Sequence, residues 1–389
     1  MVFNGLSAKD FVSDVDTRIS YSKEVTRAIT TKSKTKPFLG SSENDTNAII
    51  KTVKKTCEIG NYVGIELEDE LVGSGATGNV TLDASSEELK RIKQFIKVDR
   101  FQHTVPSTYD VVNQRSATKF LSTSKTALTN WGTRKFDKIF FSAMSADCTN
   151  VVCANNYTTH DCSNIKKSDV LTTADVEEAR RRAELGLNGI TTNGKEGEVP
   201  PIVPVSTNQE ENAGFYEDLP VFIMLVGTNS ARHIKNDSNW AEARKDARER
   251  GKTNPIFSGA LGFWDGVLLL QVGTDTPRSS GILTSKKDFV GFSNVKNFDL
   301  STYAGESGQE TEINLLLGVG AAQIVVDMGV AYYNSADKDD ERRMNASIDR
   351  VYGFAKTKYK ASENDGILKD SIFDGNDYGV IAIVASTGL

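Results

Sequence analysis

Apolar side chains recur three or four positions apart from Tyr109 to Ala143, which gives the clearest helix signal in the chain. This spacing puts them on one face of an α-helix. At 1.5 Å of rise per residue the helix would run for roughly nine turns, with Gly132 as a local defect. The fold must therefore accommodate one long helix. Basic side chains along it include Lys119, Lys125, Arg134, Lys135 and Lys138.

An acidic hairpin is predicted ahead of this helix. Val63, Ile65 and Leu67 alternate with Glu66 and Glu68, which is the period of a half-exposed strand. A second apolar run leads the chain back toward the helix. A hairpin of this length cannot build its own core, so it needs a partner surface. The turn between its strands is rich in glycine, with Gly73, Gly75 and Gly78.

Shorter signals predict further buried elements. Thr172 followed by Asp175 suits a capping box at the start of a second helix. Val221 to Val226 and Tyr378 to Val384 are uninterrupted apolar runs, which predict buried strands. The apolar run Ile313 to Val330 contains polar residues that a membrane centre would penalise, so we interpret it as a buried helix.

Polar stretches complete the organisation of the chain. Residues 1–50 are polar with short apolar groups, which is typical of an extended arm, and they lack the heptads of a fused scaffolding segment. Glu196 to Gly214 reads as an exposed loop, and Trp240 to Arg250 as a charged helix. The chain has no internal repeat.

A glycine-rich apolar stretch, Asn254 to Val267, combines unusual backbone freedom with large side chains. Glycine at this density indicates special backbone conformations. A surface loop would rarely hold so many large apolar residues, so the stretch predicts a buried, tightly turned platform. These residues are Ile256, Phe257, Leu261, Phe263 and Trp264.

Four stretches in sequence carry a family resemblance: Gly73 to Glu88, Ile234 to Trp240, Asn254 to Val267 and Leu315 to Ala322. The first contains the pattern TG-x-x-TLD-x-x-x-EE and the second reads I-x-x-DSNW. Together they resemble the major capsid proteins of tailed double-stranded-DNA bacteriophages, in the podovirus-type branch. The insertion after the long helix and the loop after Gly194 depart from that pattern.

The resemblance implies an α+β fold of the Hong Kong 97-like kind, with an N-terminal arm, an E-loop hairpin, a peripheral domain containing a long spine helix, and an axial domain. The implied boundaries are 1–50 for the arm, 51–105 for the E-loop and its flanking strands, 106–170 for the peripheral domain, completed by late strands at 370–389, and 171–369 for the axial domain and returning peripheral strands.

The function that the resemblance implies is self-assembly into hexamers and pentamers that close an icosahedral head around double-stranded DNA. The expected partners are other copies of the chain, a separate scaffolding protein, a portal and decoration proteins. Such a protein is no enzyme, needs no cofactor, is made in the host bacterial cytoplasm and resides in the virion.

Assembly is expected to bring the acidic hairpin of one copy onto the basic helix of its neighbour. Each exposed ion pair would contribute below about 1 kcal/mol, and repetition around the capsomer would make the sum large. Shared burial of Val63, Ile65, Leu67 and Leu71 would supply most of the association energy. The expected interface residues are Glu66, Glu68, Asp69, Glu70, Gly73, Gly75 and Gly78 on the hairpin, with Lys119, Arg134, Lys135 and Lys138 on the helix.

The net charge, the N-terminal sequence and the absence of lysine from the hairpin restrict the expected partners, compartment and crosslinking of the protein. The net charge of −6, with interspersed signs, gives no basic footprint for tight nucleic-acid binding, so contact with packaged DNA is expected to be weak and non-specific. The N-terminus shows no secretory signal, which favours synthesis in the cytoplasm. No lysine occurs between Gly64 and Glu88, so a lysine–asparagine crosslink starting from the hairpin tip is not expected.

Three sequence patterns resemble catalytic, nucleotide-binding or zinc-binding motifs but lack the context that such motifs need. The hairpin glycines fit G-x-G-x-x-G, with Asp99 about twenty residues on, but an acidic strand precedes them where a dinucleotide site needs an apolar one. His103 and His233 belong to no H-E-x-x-H motif, and no G-x-S-x-G elbow occurs. One loop holds four candidate zinc ligands without a recognised spacing, so reduced thiols are favoured: Cys148, Cys153, His160 and Cys162.

Two other function classes remain open at this point. An encapsulin-like compartment would share the fold and enclose enzymes instead of DNA. A cytoplasmic nucleotide-dependent enzyme would use the glycine motif, and nucleotide would then raise the melting temperature of a monomer.

Overall fold

The computed structural model describes residues 24–25, 27–29, 31–42, 45, 48–53, 62–68, 91–106, 117–192, 195–205, 220–242, 260–287, 298–326, 330–335, 344–359 and 375–389. The helices are α1 (Ala117–Ser145), α2 (Thr173–Leu185) and α3 (Thr228–Asn236), with 3-10 turns at Lys36–Phe38, Cys162–Asn164, Leu300–Tyr303 and Glu306–Gly308. The strands are β1 (Ile50–Val53), β2 (Tyr62–Glu68), β3 (Arg91–Pro106), β4 (Val151–Cys153), β5 (Leu187–Thr192), β6 (Lys195–Glu198), β7 (Phe222–Val226), β8 (Ala260–Trp264), β9 (Val267–Gln271), β10 (Thr311–Leu317), β11 (Ala322–Val326), β12 (Val330–Ser335), β13 (Met344–Lys356), β14 (Lys358–Tyr359), β15 (Asn376–Asp377) and β16 (Val380–Ser386).

The first sheet has the strand order β1-β11-β13-β3-β2, with β12 also paired to β13. Its centre is the long antiparallel pair of β3 and β13, joined from Val98 opposite Gly353 to Pro106 opposite Asn345. The hairpin strand β2 pairs antiparallel with the first half of β3, which confirms the predicted strand. Because β2 ends this strand order, the hairpin lies at the edge of the sheet.

Helix α1 lies on this sheet and confirms the predicted long helix over Ala117–Ser145. The predicted part before residue 117 is outside the described residues. Alternate residues of β13 face the helix, and the ring centroids of Phe136 and Tyr352 are 5.6 Å apart, while those of Phe140 and Phe354 are 5.7 Å apart. Each fully buried ring or aliphatic side chain contributes about 1.5–3 kcal/mol. The apolar stripe of the helix is therefore covered by its own chain.

The described N-terminal residues dock on α1, so the expectation of an extended arm is wrong for this part. Residues 24–25, 27–29 and 31–32 are helical, and the buried side chains of Val25 and Ile29 pack with Leu128. The defect at Gly132 has a packing reason, because a Cβ there would lie 2.6 Å from Cδ1 of Ile29. The missing side chain lets the two segments approach closely.

A buried polar cluster fixes the same junction. The carboxylate of Asp137 accepts hydrogen bonds from the Ser33 hydroxyl, the Lys34 backbone amide (3.3 Å) and the Ser280 hydroxyl (3.2 Å). The ammonium of Lys34 donates to the carbonyl oxygens of Val272 (2.7 Å) and Ser280. Burial raises the pKa of Asp137 despite these donors. The cluster ties the N-terminal segment to both α1 and the chain beyond β9.

The second sheet has the order β4-β16-β10-β7-β9-β8. β7 lies inside it, antiparallel to β10 and parallel to β9, which confirms the predicted central strand. β16 confirms the late strand, but it pairs with β10 and β4 rather than with the sheet under α1. β16 thus completes the sheet that contains β7, while its Val380, Ala382 and Val384 share a buried cluster with Phe136 and Phe140 of α1, so the assignment of residues 370–389 to the domain of the long helix stays a prediction.

The predicted buried helix from Ile313 to Val330 is wrong. The chain forms β10, a turn through Gly318 and Gly320, and then β11 in the other sheet. Every residue of β10 is buried, so both faces are apolar and the alternation that identifies a strand is absent. Gly320 has a φ of +69°, which ends the run in a turn that favours glycine.

Two further expectations concern the second helix and the chain after it, and one of them is confirmed. The capping box is confirmed, because the Asp175 carboxylate accepts from the backbone amide and hydroxyl of Thr172, both at 2.8 Å. The exposed loop predicted from Glu196 is wrong at its start, since β5 and β6 form a hairpin there. Val199 and Ile202 after it are buried. The helix predicted from Trp240 is described only to residue 242.

The glycine-rich stretch is a hairpin rather than a buried platform in its described part. β8 and β9 pair antiparallel around Asp265 and Gly266, at the edge of the second sheet. Phe263 is 47% exposed, because alternate residues of an edge strand face solvent. Residues 254–259 lie outside the described residues.

A buried carboxylate joins β10 to the start of α3. Glu312 accepts from the backbone amide of Ser230 (2.8 Å), its hydroxyl (2.7 Å) and the side-chain amide of Asn229 (3.0 Å). The N-terminus of a helix leaves amides unsatisfied and carries positive partial charge, so a carboxylate is stabilised there.

Candidate assembly site

The basic face of α1 is only partly available to a partner. Lys138 forms an ion pair with Asp275 at 3.4 Å. Arg134 donates to the carbonyl oxygens of Asn130 and Pro277, both at 3.3 Å. The contacts with Asp275 and Pro277 connect both side chains to the same part of their own chain, and the expected role of these two cations at the interface stays a prediction. Lys119 lies in the first turns of the helix, and its side chain is outside the described residues.

Lys135 differs from its neighbours on the helix. Its ammonium lies 5.7 Å from the ring centroid of Phe101 on β3, an arrangement that favours a cation over an aromatic face. Burial, and then the nearby charge of Lys138, lower the pKa of Lys135. No ion pair to Lys135 occurs in the described part of the chain. Among the described side chains of the expected interface cations, Lys135 and Arg134 have no acidic partner, and Lys135 is the one that lies over an aromatic ring.

The acidic hairpin is described only at its base. Glu66 and Glu68 lie on β2, opposite Lys93 and Arg91 of β3 in the strand register. The remaining expected interface residues of the hairpin lie outside the described residues: Asp69, Glu70, Gly73, Gly75 and Gly78.

The base of the hairpin does not depend on another copy for its apolar contacts. Val63 is fully buried and Ile65 is 5% exposed, in a cluster with Ile96, Val98 and other residues of the first sheet. The expectation that Val63 and Ile65 supply association energy is therefore wrong, because their burial already belongs to folding of the subunit.

The topology around the hairpin glycines contradicts a dinucleotide site. That motif connects a strand to a helix within a parallel βαβ unit. Here the glycines fall in the connection between β2 and β3, which pair antiparallel. The G-x-G-x-x-G spacing therefore has no nucleotide-binding context.

Sequence analysis overlooked an arginine that lies where the fold expects an apolar residue. Arg350 on β13 follows Ile348 and precedes Tyr352 on the face toward α1, and it is 8% exposed. The alternation of this strand was the available signal, because a charged residue at a core position is unusual. Lys135 and Phe101 line the same cleft beside Arg350.

The four candidate zinc ligands do not converge. The sulfur atoms of Cys153 and Cys162 lie 2.9 Å apart in the core, whereas Nε2 of His160 bonds the carbonyl oxygen of Asn188 at 2.6 Å. Cys148 lies at the end of α1, where burial raises the pKa of its thiol. Hydrogen bonding with Cys153, and then burial, raise the pKa of Cys162. These protonated, packed thiols are poor metal ligands.

The histidines also have local structural partners. His103 stacks on Trp131 with ring centroids 4.5 Å apart. Nε2 of His233 on α3 contacts the carbonyl oxygen of Thr387 at 3.2 Å, which anchors the C-terminal residues. Within the described residues no group of three or more His, Cys, Asp or Glu side chains is placed to hold a metal ion. None of the described helices is both long and apolar enough to span a bilayer.

A lysine holds the C-terminal end of α1. The ammonium of Lys356 donates to the carbonyl oxygens of Ala146 (2.8 Å) and Asp147 (3.0 Å) and to the carboxylate of Asp377 (2.9 Å). Both side chains of this ion pair are 1% exposed. The charge complements the negative end of the helix dipole and fixes α1 to both β13 and β15.

A long helix on a mixed sheet, a hairpin at the edge of that sheet and a second mixed sheet together form a Hong Kong 97-like fold. A family model described as phage capsid protein matches residues 14–387. The chain therefore belongs to the phage capsid protein family, and its role is structural rather than enzymatic.

Individual relatives are distant but match nearly end to end. The major structural protein ORF14 of Helicobacter pylori bacteriophage KHP30 is 23% identical over 338 residues, covering 82% of this chain and 83% of its own. The major capsid protein of Pseudomonas phage KPP25 is 20% identical over 376 residues, covering 89% of each chain.

Solved capsid structures share the fold. The acid-stable capsid of Helicobacter pylori bacteriophage KHP30 aligns with a TM-score of 0.72 at 20% identity, covering 92% of both chains. The head of bacteriophage KHP40 aligns with a TM-score of 0.71 at 20% identity, covering 91% of both. The match extends over both sheets and the long helix.

Proposed function

We propose that this chain is the major capsid protein of a tailed double-stranded-DNA bacteriophage, which assembles into hexamers and pentamers that close an icosahedral head. The observation that carries the proposal is the match of the whole fold, over 92% of the chain, to a phage capsid subunit. A separate scaffolding protein, a portal and decoration proteins would complete the particle. The subunit would be made in the host bacterial cytoplasm.

Weak contact with packaged DNA fits the charges of the described surface. Nucleic-acid surfaces need rows of cations that are free to neutralise phosphates. Several cations near α1 are instead paired within the chain, as Lys138 is with Asp275 and Arg100 is with Asp349. DNA held by such a surface would be bound through few charges and would be released easily by salt.

The hairpin is the proposed contact between neighbouring subunits. β2 is an edge strand, and the connection beyond it is acidic, whereas Lys135 on α1 has no acid partner among the described residues. We place the acidic run Glu66, Glu68, Asp69 and Glu70 of one copy near this helix of the next. Cohesion would be non-covalent, because the sequence between Gly64 and Glu88 contains no lysine.

Charge reversal tests this contact. Changing Glu66, Glu68, Asp69 and Glu70 to lysine should abolish shells in sedimentation and electron microscopy while the far-ultraviolet circular dichroism of the subunit stays unchanged. A control with the same total charge change reverses four exposed acids elsewhere: Glu184, Glu198, Glu242 and Glu306. Normal shells from the hairpin variant would refute the proposed contact, as would equal loss of shells in the control.

A detergent test addresses covalent cohesion separately. Boiling purified particles in detergent should release single subunits. A ladder of crosslinked oligomers would contradict non-covalent cohesion.

A further inference from the structure

The guanidinium of Arg350 is buried, and it has no hydrogen-bond or ion-pair partner among the described residues. Its Nε makes no hydrogen bond with any described residue, and its nearest described interaction is the Tyr352 ring, whose centroid lies 5.9 Å from Cζ. Burial lowers the pKa of Arg350. A guanidinium stays charged in proteins, so among the described residues the cost of removing it from water is offset only in part, by the Tyr352 ring.

A second buried arginine, Arg182, provides a comparison for the hydrogen bonding of Arg350. Arg182 is fully buried, and it donates to the Glu178 carboxylate (2.8 Å) and to the carbonyl oxygens of Val151 (3.0 Å), Asn188 (2.9 Å) and Tyr157 (2.6 Å). Arg182 therefore has acceptors for its guanidinium within the subunit, whereas Arg350 has none among the described residues. The incomplete bonding of Arg350 indicates a group that arrives from outside the subunit.

The cleft around Arg350 has the chemistry of an anion site. It lies between α1 and β13, with Lys135 as a second cation and with Phe101, Trp131 and Tyr352 as aromatic walls. None of its lining residues is an aspartate or a glutamate. Two cations without an acid among the lining residues favour an oxyanion.

We propose that this cleft binds a side-chain carboxylate supplied by a second copy of the chain, with Arg350 and Lys135 as its cationic receptors. This inference rests on the proposed self-assembly, because a shell holds neighbouring copies at fixed positions. The chain itself offers the acid, since its net charge is −6 and its hairpin sequence is rich in carboxylates.

A nucleic-acid phosphate fits the cleft less well than a single carboxylate. A strand of nucleic acid presents a row of phosphates and needs a row of free cations. The flanking cations are already paired, Lys138 with Asp275 and Arg100 with Asp349. The site therefore has the capacity for one acidic group.

The first test uses opposite effects on folding and assembly. Arg350→Met should leave the melting temperature of the unassembled subunit unchanged or raise it, because an uncompensated buried charge is removed. The same variant should need about tenfold more subunit, or more, to form shells. Arg182→Met is the matched control and should lower the melting temperature of the subunit. A lower melting temperature for Arg350→Met, or assembly at the parent concentration, would overturn the proposal.

The second test uses the unmodified sequence and therefore does not depend on a variant that folds. A zero-length carbodiimide couples an ammonium to a carboxylate in contact. Shells assembled from ¹⁴N-labelled and ¹⁵N-labelled copies should give Lys135 peptides joined to acidic peptides of the other label. Free subunits should not give them. The Lys138 to Asp275 pair is the same-label reference within one chain.

The outcomes separate this inference from the proposed function. Normal shells in which Lys135 remains uncoupled, or couples only to its own label, would overturn the cleft and leave self-assembly intact. Binding of short DNA to the free subunit that is abolished by Arg350→Met would overturn it in favour of a phosphate ligand. If the unmodified chain forms no shells, either alone or when produced with its scaffolding protein, the proposed function itself fails.

Discussion

Replacing Lys356 with methionine would remove the charge that holds the end of α1 while keeping an aliphatic side chain of similar length. The ammonium bonds Asp377 and the two carbonyl oxygens just beyond the end of α1, and both members of the ion pair are 1% exposed. After the change, the Asp377 carboxylate would keep the Thr149 amide at 3.0 Å and a distant Lys358 ammonium at 3.7 Å.

The expected cost follows from that geometry. Removing one partner of a buried ion pair costs about 3–5 kcal/mol, because the other charge stays buried without compensation. Domains are stable by about 5–15 kcal/mol, so the variant should still fold. With an m value near the top of the usual range, the urea midpoint of the unassembled subunit should fall by about 1–2 M.

Two companion variants make the urea assay specific. Lys356→Met combined with Asp377→Leu should recover most of the loss, because an apolar pair replaces the ionic pair. Lys358→Met should cost below about 1 kcal/mol, since its nearer partner Asp147 is 67% exposed and Asp377 lies 3.7 Å away and keeps its contact with Lys356. A loss below about 1 kcal/mol for Lys356→Met alone would refute the reasoning.

The pH dependence provides an independent check of the same ion pair. Burial lowers the pKa of Lys356, but Asp377 and Cys148 raise it by more, so it lies above its ordinary value. A raised lysine pKa stabilises the folded state below the unfolded pKa, and this stabilisation is lost as pH rises through the folded pKa. The difference between the parent and Lys356→Met should therefore be constant near neutrality and shrink above about pH 10.4.

Three other variants test separate contacts. Glu312→Gln should cost about 1.5–3 kcal/mol in thermal unfolding of the subunit, because charge-assisted bonds at the start of α3 are weakened; an unchanged melting temperature would contradict this. Gly189→Ala should cost about 1–3 kcal/mol, since Gly189 has a φ of +78° and the Arg182 guanidinium occupies the space of a Cβ; a neutral result would contradict the packing described. Asp137→Asn should raise the melting temperature at pH 7, because burial raises the pKa of Asp137 and its ionised form is disfavoured in the folded state. That gain should diminish as the pH falls toward 4, and a gain that grows on acidification would contradict it.

The elements that sequence reasoning predicted correctly have patterns that local geometry determines. α1 has an apolar stripe at helical spacing, and β7 is a short apolar run between Pro220 and Gly227. The start of α2 follows from a capping box of two residues three positions apart. Each of these signals is contained within one element, so it needs no knowledge of the partners.

The misinterpretations arose where tertiary partners decide the structure. β10 is buried on both faces, so its uninterrupted apolar run looks like a buried helix. Lys138 reaches Asp275 from a position 137 residues away along the chain, and no spacing rule predicts such a pair. The unusual position of Arg350 could have been recognised from the sequence, because a charged residue interrupts the apolar alternation of β13. Its burial could not, because that depends on the packing of α1 over the same face.

Electron microscopy of the purified, overexpressed chain tests the central claim most directly. Self-assembly predicts closed icosahedral shells in which the hairpin beyond β2 of one copy lies across α1 of its neighbour. Dispersed monomers at high concentration, with that hairpin folded against α1 of the same molecule, would contradict it.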